Sequence, residues 1–130
     1  MSNPIHQEVV LESAPSKVFA VLTDHAQFQS MSGGAPAEID AREGGAFSLF
    51  GGMITGRNIE RAGDALLVQA WRVKMWKPGV YSIVRFEIRP EGNRTRVVLD
   101  HTGFPEEERA HLDQGWHANY WEPLAKMIAR

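Results

Sequence analysis

Several stretches of the chain alternate apolar and polar residues in the two-residue rhythm of half-buried strands. The first is 5–12, where Val9 and Leu11 share a face. Ser13-Ala14-Pro15-Ser16 breaks it, and Pro15 suits the first turn of a helix, where its missing N–H costs nothing. Lys17 to Leu22 follow with Val18, Phe19 and Leu22 on one side. Thr23-Asp24 can cap a second short helix over 24–30, whose apolar residues are Phe28 and Met31. Glycine pairs then punctuate residues 32–53, leaving room for short strands near 37–41 and 46–50. A strand is expected over 53–61, ending at Ala62-Gly63-Asp64, and a stronger one over 65–73. The segment 74–79 reads as a loop. Residues 80–89 set Val84, Phe86 and Ile88 against Arg85, Glu87 and Arg89. Pro90-Glu91-Gly92-Asn93 is a hairpin turn by composition, and 94–101 return with Val97, Leu99 and His101 on one face.

From Pro105 the rhythm becomes helical and runs to the end. Glu106, Glu107 and Glu108 sit where the helix dipole favours negative charge, and Lys126 and Arg130 at the end that favours positive. Leu112, Trp116, Tyr120, Pro123, Leu124 and Met127 fall on one stripe, and Trp121 lies off it. Pro123 lacks the N–H that would bond Asn119 and should bend the helix there. The order is strand, two short helices, a run of antiparallel strands, then one long amphipathic helix. The expected fold is α+β: a curved antiparallel sheet of about six or seven strands wrapped around the C-terminal helix, so that both apolar faces are buried.

The chain has 130 residues, and no linker, repeat or low-complexity tract divides it, so residues 1–130 are expected to form a single domain. No apolar run is long enough for a membrane span, and the first residues lack the pattern of a signal peptide. With no cysteine there is no disulfide, thiolate metal site or cysteine nucleophile. Fourteen basic against sixteen acidic residues give no bulk attraction for nucleic acid or anionic lipid. A cytoplasmic protein, monomeric or weakly dimeric, is expected.

No catalytic motif of strong specificity is present, and the glycine pairs lack the Lys-Ser/Thr of a phosphate-binding loop. His111 and His117 are six residues apart and point about 120° away from each other on a helix, so they do not suit one metal. No metal or other cofactor is expected. His101 is the more informative histidine. Its strand parity turns it inward, where desolvation should keep it neutral near pH 7, free either to contact a ligand or to be satisfied within the core. Asp100 lies on the opposite strand face and is a poor partner for it. Trp71, Trp76, Trp116 and Tyr120 combine apolar bodies with polar tips, as ligand pockets do; packing between sheet and helix is the alternative for Trp71 and Trp116, and Trp76 on its loop could be a lid. Arg72 and Lys74, flanking the loop, are expected to be solvated.

Particular motifs occur in an ordered series: Ala14-Pro15-Ser16-Lys17-Val18-Phe19, Gly44-Gly45-x-Phe47, Gly52-x-x-x-Gly56 leading into Ile59, and Leu67-x-x-x-Trp71. Then come Ser82-x-Val84-x-Phe86, Thr95-Arg96-Val97, His101-Thr102-Gly103 and Gly115-Trp116. Together, over roughly 110 residues, they resemble the START-like (SRPBCC) superfamily and, within it, the family named after the activator of heat-shock-protein-90 ATPase homologues. The resemblance implies the helix-grip fold. It also implies a cavity between sheet and helix for a small hydrophobic or aromatic molecule, with Trp71, Trp76, Phe86, His101, Trp116, Tyr120, Phe28 and Met31 as candidate contacts. Met31 stands where many members carry tryptophan, which implies a differently shaped mouth. The chain is expected to be without the separate amino-terminal domain of the eukaryotic chaperone activators. Family members include small-molecule binders, relatives of polyketide cyclases and chaperone-associated proteins. A cyclase- or hydratase-like enzyme using His101 and Tyr120 is therefore one alternative to a binding module. A chaperone-associated interaction protein, with Trp121 as a surface patch, is the other.

Overall fold

Alternation decides which face of each strand is buried, and the strands assemble accordingly in the computed structural model, which describes residues 4–128. Strand β1 (Ile5–Leu11) is followed by helices α1 (Pro15–Thr23) and α2 (His25–Met31). Strands β2 (Glu38–Ile39), β3 (Ala46–Leu49), β4 (Ile54–Ala62), β5 (Leu66–Val73), β6 (Ser82–Glu91) and β7 (Arg94–Thr102) come next. They form one curved seven-stranded antiparallel sheet in the order β1-β7-β6-β5-β4-β3-β2. The C-terminal helix begins with a 3-10 turn, Glu106–Glu108, and continues as α3 (Arg109–Trp116), a π-helical turn (His117–Trp121) and α4 (Glu122–Ile128).

Both short helices form for the local reasons their sequence supplies. Pro15 occupies the first turn of α1, and the Asp24 carboxylate accepts from the Gln27 N–H to cap α2. They bury Val18, Phe19, Leu22, Phe28 and Met31 in the core. On the inner face of the sheet, register sets Phe86 beside Leu67 and Leu99, and Val84 beside His101. Leu112, Trp116, Tyr120 and Leu124 close this core from the helix side, all buried. Met127 is half-buried against the core and lines a groove together with residues of α1 and α2. Arg130 lies outside the described residues.

Three expectations change. Strand β6 runs through Pro90 and Glu91, so the hairpin loop is only Gly92-Asn93. Pro90 is tolerated because β5 pairs no further along β6 than Glu87 and Ala65 accepts the last N–H on that side, from Ile88; a proline beyond it forfeits no ladder bond. The expected strand near 37–41 shrinks to two residues. The departure from α-geometry before Pro123 is a widened π turn. One extra residue in that turn rotates the following positions, and Trp121 is buried rather than exposed. Its Nε1–H donates to Gln7 Oε1 at 2.6 Å, while Gln7 Nε2 donates to the carbonyl and carboxylate of Asp113, both at 2.9 Å. Gln7 thus ties β1 to two turns of the helix, and Trp121 forms no surface patch.

Candidate functional site

A partly open cleft of about 360 Å³ lies between the inner face of the sheet and the C-terminal helix. Its sheet side is built by Trp71 and Val73 of β5 and Ile54 of β4, and its helix side by Leu112, Gly115, Trp116 and Tyr120. Phe50 and Met53, from the turn between β3 and β4, and Met75, from the loop after β5, complete the wall. Glu108, His111 and Asn119 contribute its polar margin. Apolar surface dominates, as in binding sites for small organic molecules.

Backbone conformation explains why several of these groups stand where they do. Phe50 has φ 54°, a conformation costly for a residue with a side chain, in a turn whose next two residues, Gly51 and Gly52, also have positive φ. That turn sends the Phe50 ring edge-on against Phe28 and Tyr120, at 5.4 and 5.8 Å between centroids. Gly56 faces Trp71 in register and lies beneath Phe47; a Cβ there would come within 1.8 Å of the Ala70 carbonyl oxygen. Its missing side chain lets β4 and β5 meet beneath the indole of Trp71. That indole stacks on Trp116 at 5.6 Å, and Trp116 in turn packs against Tyr120 at 4.4 Å.

Polar tips divide into satisfied and unsatisfied groups. Trp116 Nε1–H donates to His101 Nδ1 at 3.1 Å. The imidazole proton therefore sits on Nε2, which donates to Ser82 Oγ at 2.8 Å, and the Ser82 hydroxyl donates to the Trp71 carbonyl at 2.8 Å. His101 is fully buried, and burial holds its pKa down at about 3. It is a neutral strut behind the cleft, with both ring nitrogens occupied by the protein. By contrast, the Trp71 Nε1–H is buried and has no hydrogen-bond partner. The Tyr120 hydroxyl is near enough to act on it without reaching hydrogen-bond geometry; burial pushes the tyrosine pKa up, and the Trp71 N–H opposes this.

Of the residues picked from sequence, Trp71, Trp116 and Tyr120 meet in the cleft wall. Phe28 and Phe86 lie one layer behind, against Tyr120 and Trp116, and Met31 is buried away from the wall. Trp76 is not an open lid. It is tucked under its loop, with Nε1–H donating to Glu108 Oε1 at 3.3 Å and its ring against Trp71. Met75 is the exposed apolar group of that loop. Nor is Arg72 merely solvated: its guanidinium donates to the carbonyls of Val73, Lys74, Trp76 and Lys77 and pins the loop from beneath. Sequence reading missed Phe50, Met53 and Met75. The Phe50-Gly51-Gly52-Met53 turn was the one signal for Phe50 and Met53, since a glycine pair between strands forces its neighbours' side chains out of the ladder; Met75, in the loop after β5, had none. Asp100 faces away from His101, as its parity implied, and its carboxylate pairs with His6 at 2.7 Å on the outer face. Among the described residues no group of three or more His, Asp or Glu side chains could hold a metal ion, and no helix is long and apolar enough to cross a membrane.

Known proteins are similar to this chain over most of its length. The model of the family "Activator of Hsp90 ATPase homolog 1-like protein" matches residues 12–129. The human activator of 90 kDa heat shock protein ATPase homolog 1 is 26% identical over 112 residues, which is 86% of this chain and 33% of that protein. The chain spans about a third of the length of the curated relatives it matches first. A crystal structure of an HSP90 activator from Plasmodium falciparum superposes with a TM-score of 0.89 at 26% identity, covering 97% of this chain and 96% of the other. CalU16 from Micromonospora echinospora has the same fold, with a TM-score of 0.81 at 22% identity over 96% of this chain and 75% of its own. The chain therefore belongs to the family of Activator of Hsp90 ATPase homolog 1-like proteins.

Proposed function

We propose that this domain binds one small hydrophobic or aromatic molecule in the cleft between the sheet and the C-terminal helix. The observation that carries this reading is the cleft itself. Its volume of about 360 Å³ lies at the lower end of the range of roughly 300–1,000 Å³ usual for small-molecule sites, and its wall is mostly aromatic and aliphatic. Trp71, Trp116 and Tyr120 touch the ligand; His101 and Phe86 hold those rings in place from behind. Met53 and Met75 are exposed at the margin, and their flexible thioethers suit an adaptable mouth. A cyclase- or hydratase-like reaction that needs His101 and Tyr120 on one substrate finds no support, because His101 is outside the cleft wall.

The test is a titration with a fluorescent apolar probe, following probe emission and tryptophan quenching. Saturable binding at one site per chain is expected. Gly115→Leu supplies the control. Gly115 lines the cleft, and a Cβ there meets only the Asn119 amide, at an ordinary 3.6 Å. The variant should fold at least as stably, since leucine favours a helix over glycine by roughly 0.8 kcal/mol, yet leave the probe unbound. Undiminished binding by Gly115→Leu defeats the reading.

The likeness to the Plasmodium falciparum HSP90 activator, over 97% of this chain, favours a second reading: association with an Hsp90-type chaperone. Adding the chain to Hsp90 should then raise its ATPase rate in a saturable manner, and an unchanged rate across the titration rejects it.

A further inference from the structure

Trp71 carries the one buried side-chain polar atom among the described residues that has no hydrogen-bond partner. Buried donors without partners are rare, because water is given up and nothing replaces it. Trp71 is only 2% exposed and lines the cleft, and the Tyr120 hydroxyl stands near its indole nitrogen with no hydrogen bond joining the two groups. Two polar groups thus stand together in the aromatic part of the wall, while Glu108, His111 and Asn119 lie at its margin. No Lys or Arg lines the cleft, so an anion would lose its hydration without gaining a counter-charge. Glu108, the one carboxylate in the lining, already accepts from Trp76.

We propose that the cleft selects a neutral apolar or aromatic molecule bearing a carbonyl-type oxygen, which accepts hydrogen bonds from Trp71 Nε1–H and the Tyr120 hydroxyl together. This rests on the function proposed above and narrows its ligand class. A carbonyl oxygen has two lone pairs and can take both donors, whereas a hydrocarbon leaves the indole N–H unpaired. Trp116 and Phe50 flank the same space and supply aromatic faces for the body of the molecule.

A matched pair of probes tests this by calorimetry: 2-acetylnaphthalene and 2-ethylnaphthalene, alike in shape and differing in the carbonyl. The ketone should bind the wild-type protein about tenfold more tightly, the order expected of neutral hydrogen bonds to a buried donor. Taken as the ratio of the two affinities within each variant, that preference should fall several-fold in Tyr120→Phe and further in Trp71→Phe. Trp71 packs among other rings, so a readout on the unaltered protein accompanies the variants. The Trp71 indole proton resonance, assigned by its contacts to Tyr120, should move downfield on adding the ketone and stay in place with the hydrocarbon. Equal affinity for both probes together with an unmoved indole proton overturns the carbonyl assignment and leaves apolar binding standing. Failure of both probes to bind overturns the two together.

Discussion

His101 shows how one residue couples packing to pH. Its two nitrogens are held by Trp116 and Ser82, so His101→Phe keeps the ring shape but orphans the buried Trp116 N–H. The expected loss is about 1–3 kcal/mol of stability at neutral pH, read from urea midpoints, with probe affinity nearly unchanged. The sign with pH follows from its depressed pKa. Between the ordinary value of 6.5 and about 3, the unfolded chain binds a proton that native His101 refuses. Stability therefore falls as pH drops through that window, by up to roughly 1.4 kcal/mol per pH unit, and His101→Phe should flatten the slope. His6 acts in the opposite sense. Asp100 and Glu8 raise its pKa, so its contribution is present below 6.5 and fades as pH rises through the native value; being exposed, it is a minor contributor. Strand parity with Val97 and Leu99 was enough to turn His101 inward. Its partner Ser82 was out of reach, since that pairing depends on the β6–β7 register and on a helix arriving from elsewhere. Gly56 was similar: the sequence displayed it within a motif, but the reason lies in Ala70 across the ladder. Gly56→Ala should destabilise by about 1–3 kcal/mol or more through overpacking, checked by thermal melting.

Among the elements, the C-terminal helix brings the largest surprise. Leu124 is fully buried, so Leu124→Ala should cost about 2–5 kcal/mol, while Glu107→Ala on the exposed first turn should cost next to nothing. Equal melting temperatures for these two variants would contradict the burial that assigns the stripe to the core. Helical periodicity alone located that stripe, because a period near 3.6 residues holds up to Tyr120. It failed at Trp121, because an α-helical template has no means of announcing a π turn; proline two residues on was the only hint. The loop 74–77 was legible as a loop and illegible as a wall. Its shape depends on Arg72 donating to four carbonyls, a tertiary arrangement with no local pattern. Arg72→Ala should therefore speed amide hydrogen exchange across residues 74–77 while exchange in β6 and β7 stays slow.

At the scale of the whole molecule, the sheet was readable because each antiparallel strand buries one face and advertises it by alternation. A cleft is a residue of imperfect closure between two such layers, and no segment encodes it alone. Its walls come from β4, β5, two connecting turns and the C-terminal helix, which only the fold brings together. An occupant of that space would bridge sheet and helix and so stabilise the native state as a unit. By mass action, a ligand at about 100 times its dissociation constant adds roughly 2.7 kcal/mol. For a domain of this size, roughly 3–5 °C per kcal/mol puts the rise in melting temperature near 10 °C, measurable by scanning calorimetry with a neutral aromatic ketone. The Gly115→Leu protein, its cleft filled by its own side chain, should melt at a temperature independent of the same ketone. A matching rise in that variant would place the stabilising contact elsewhere on the molecule and remove the cleft from the argument.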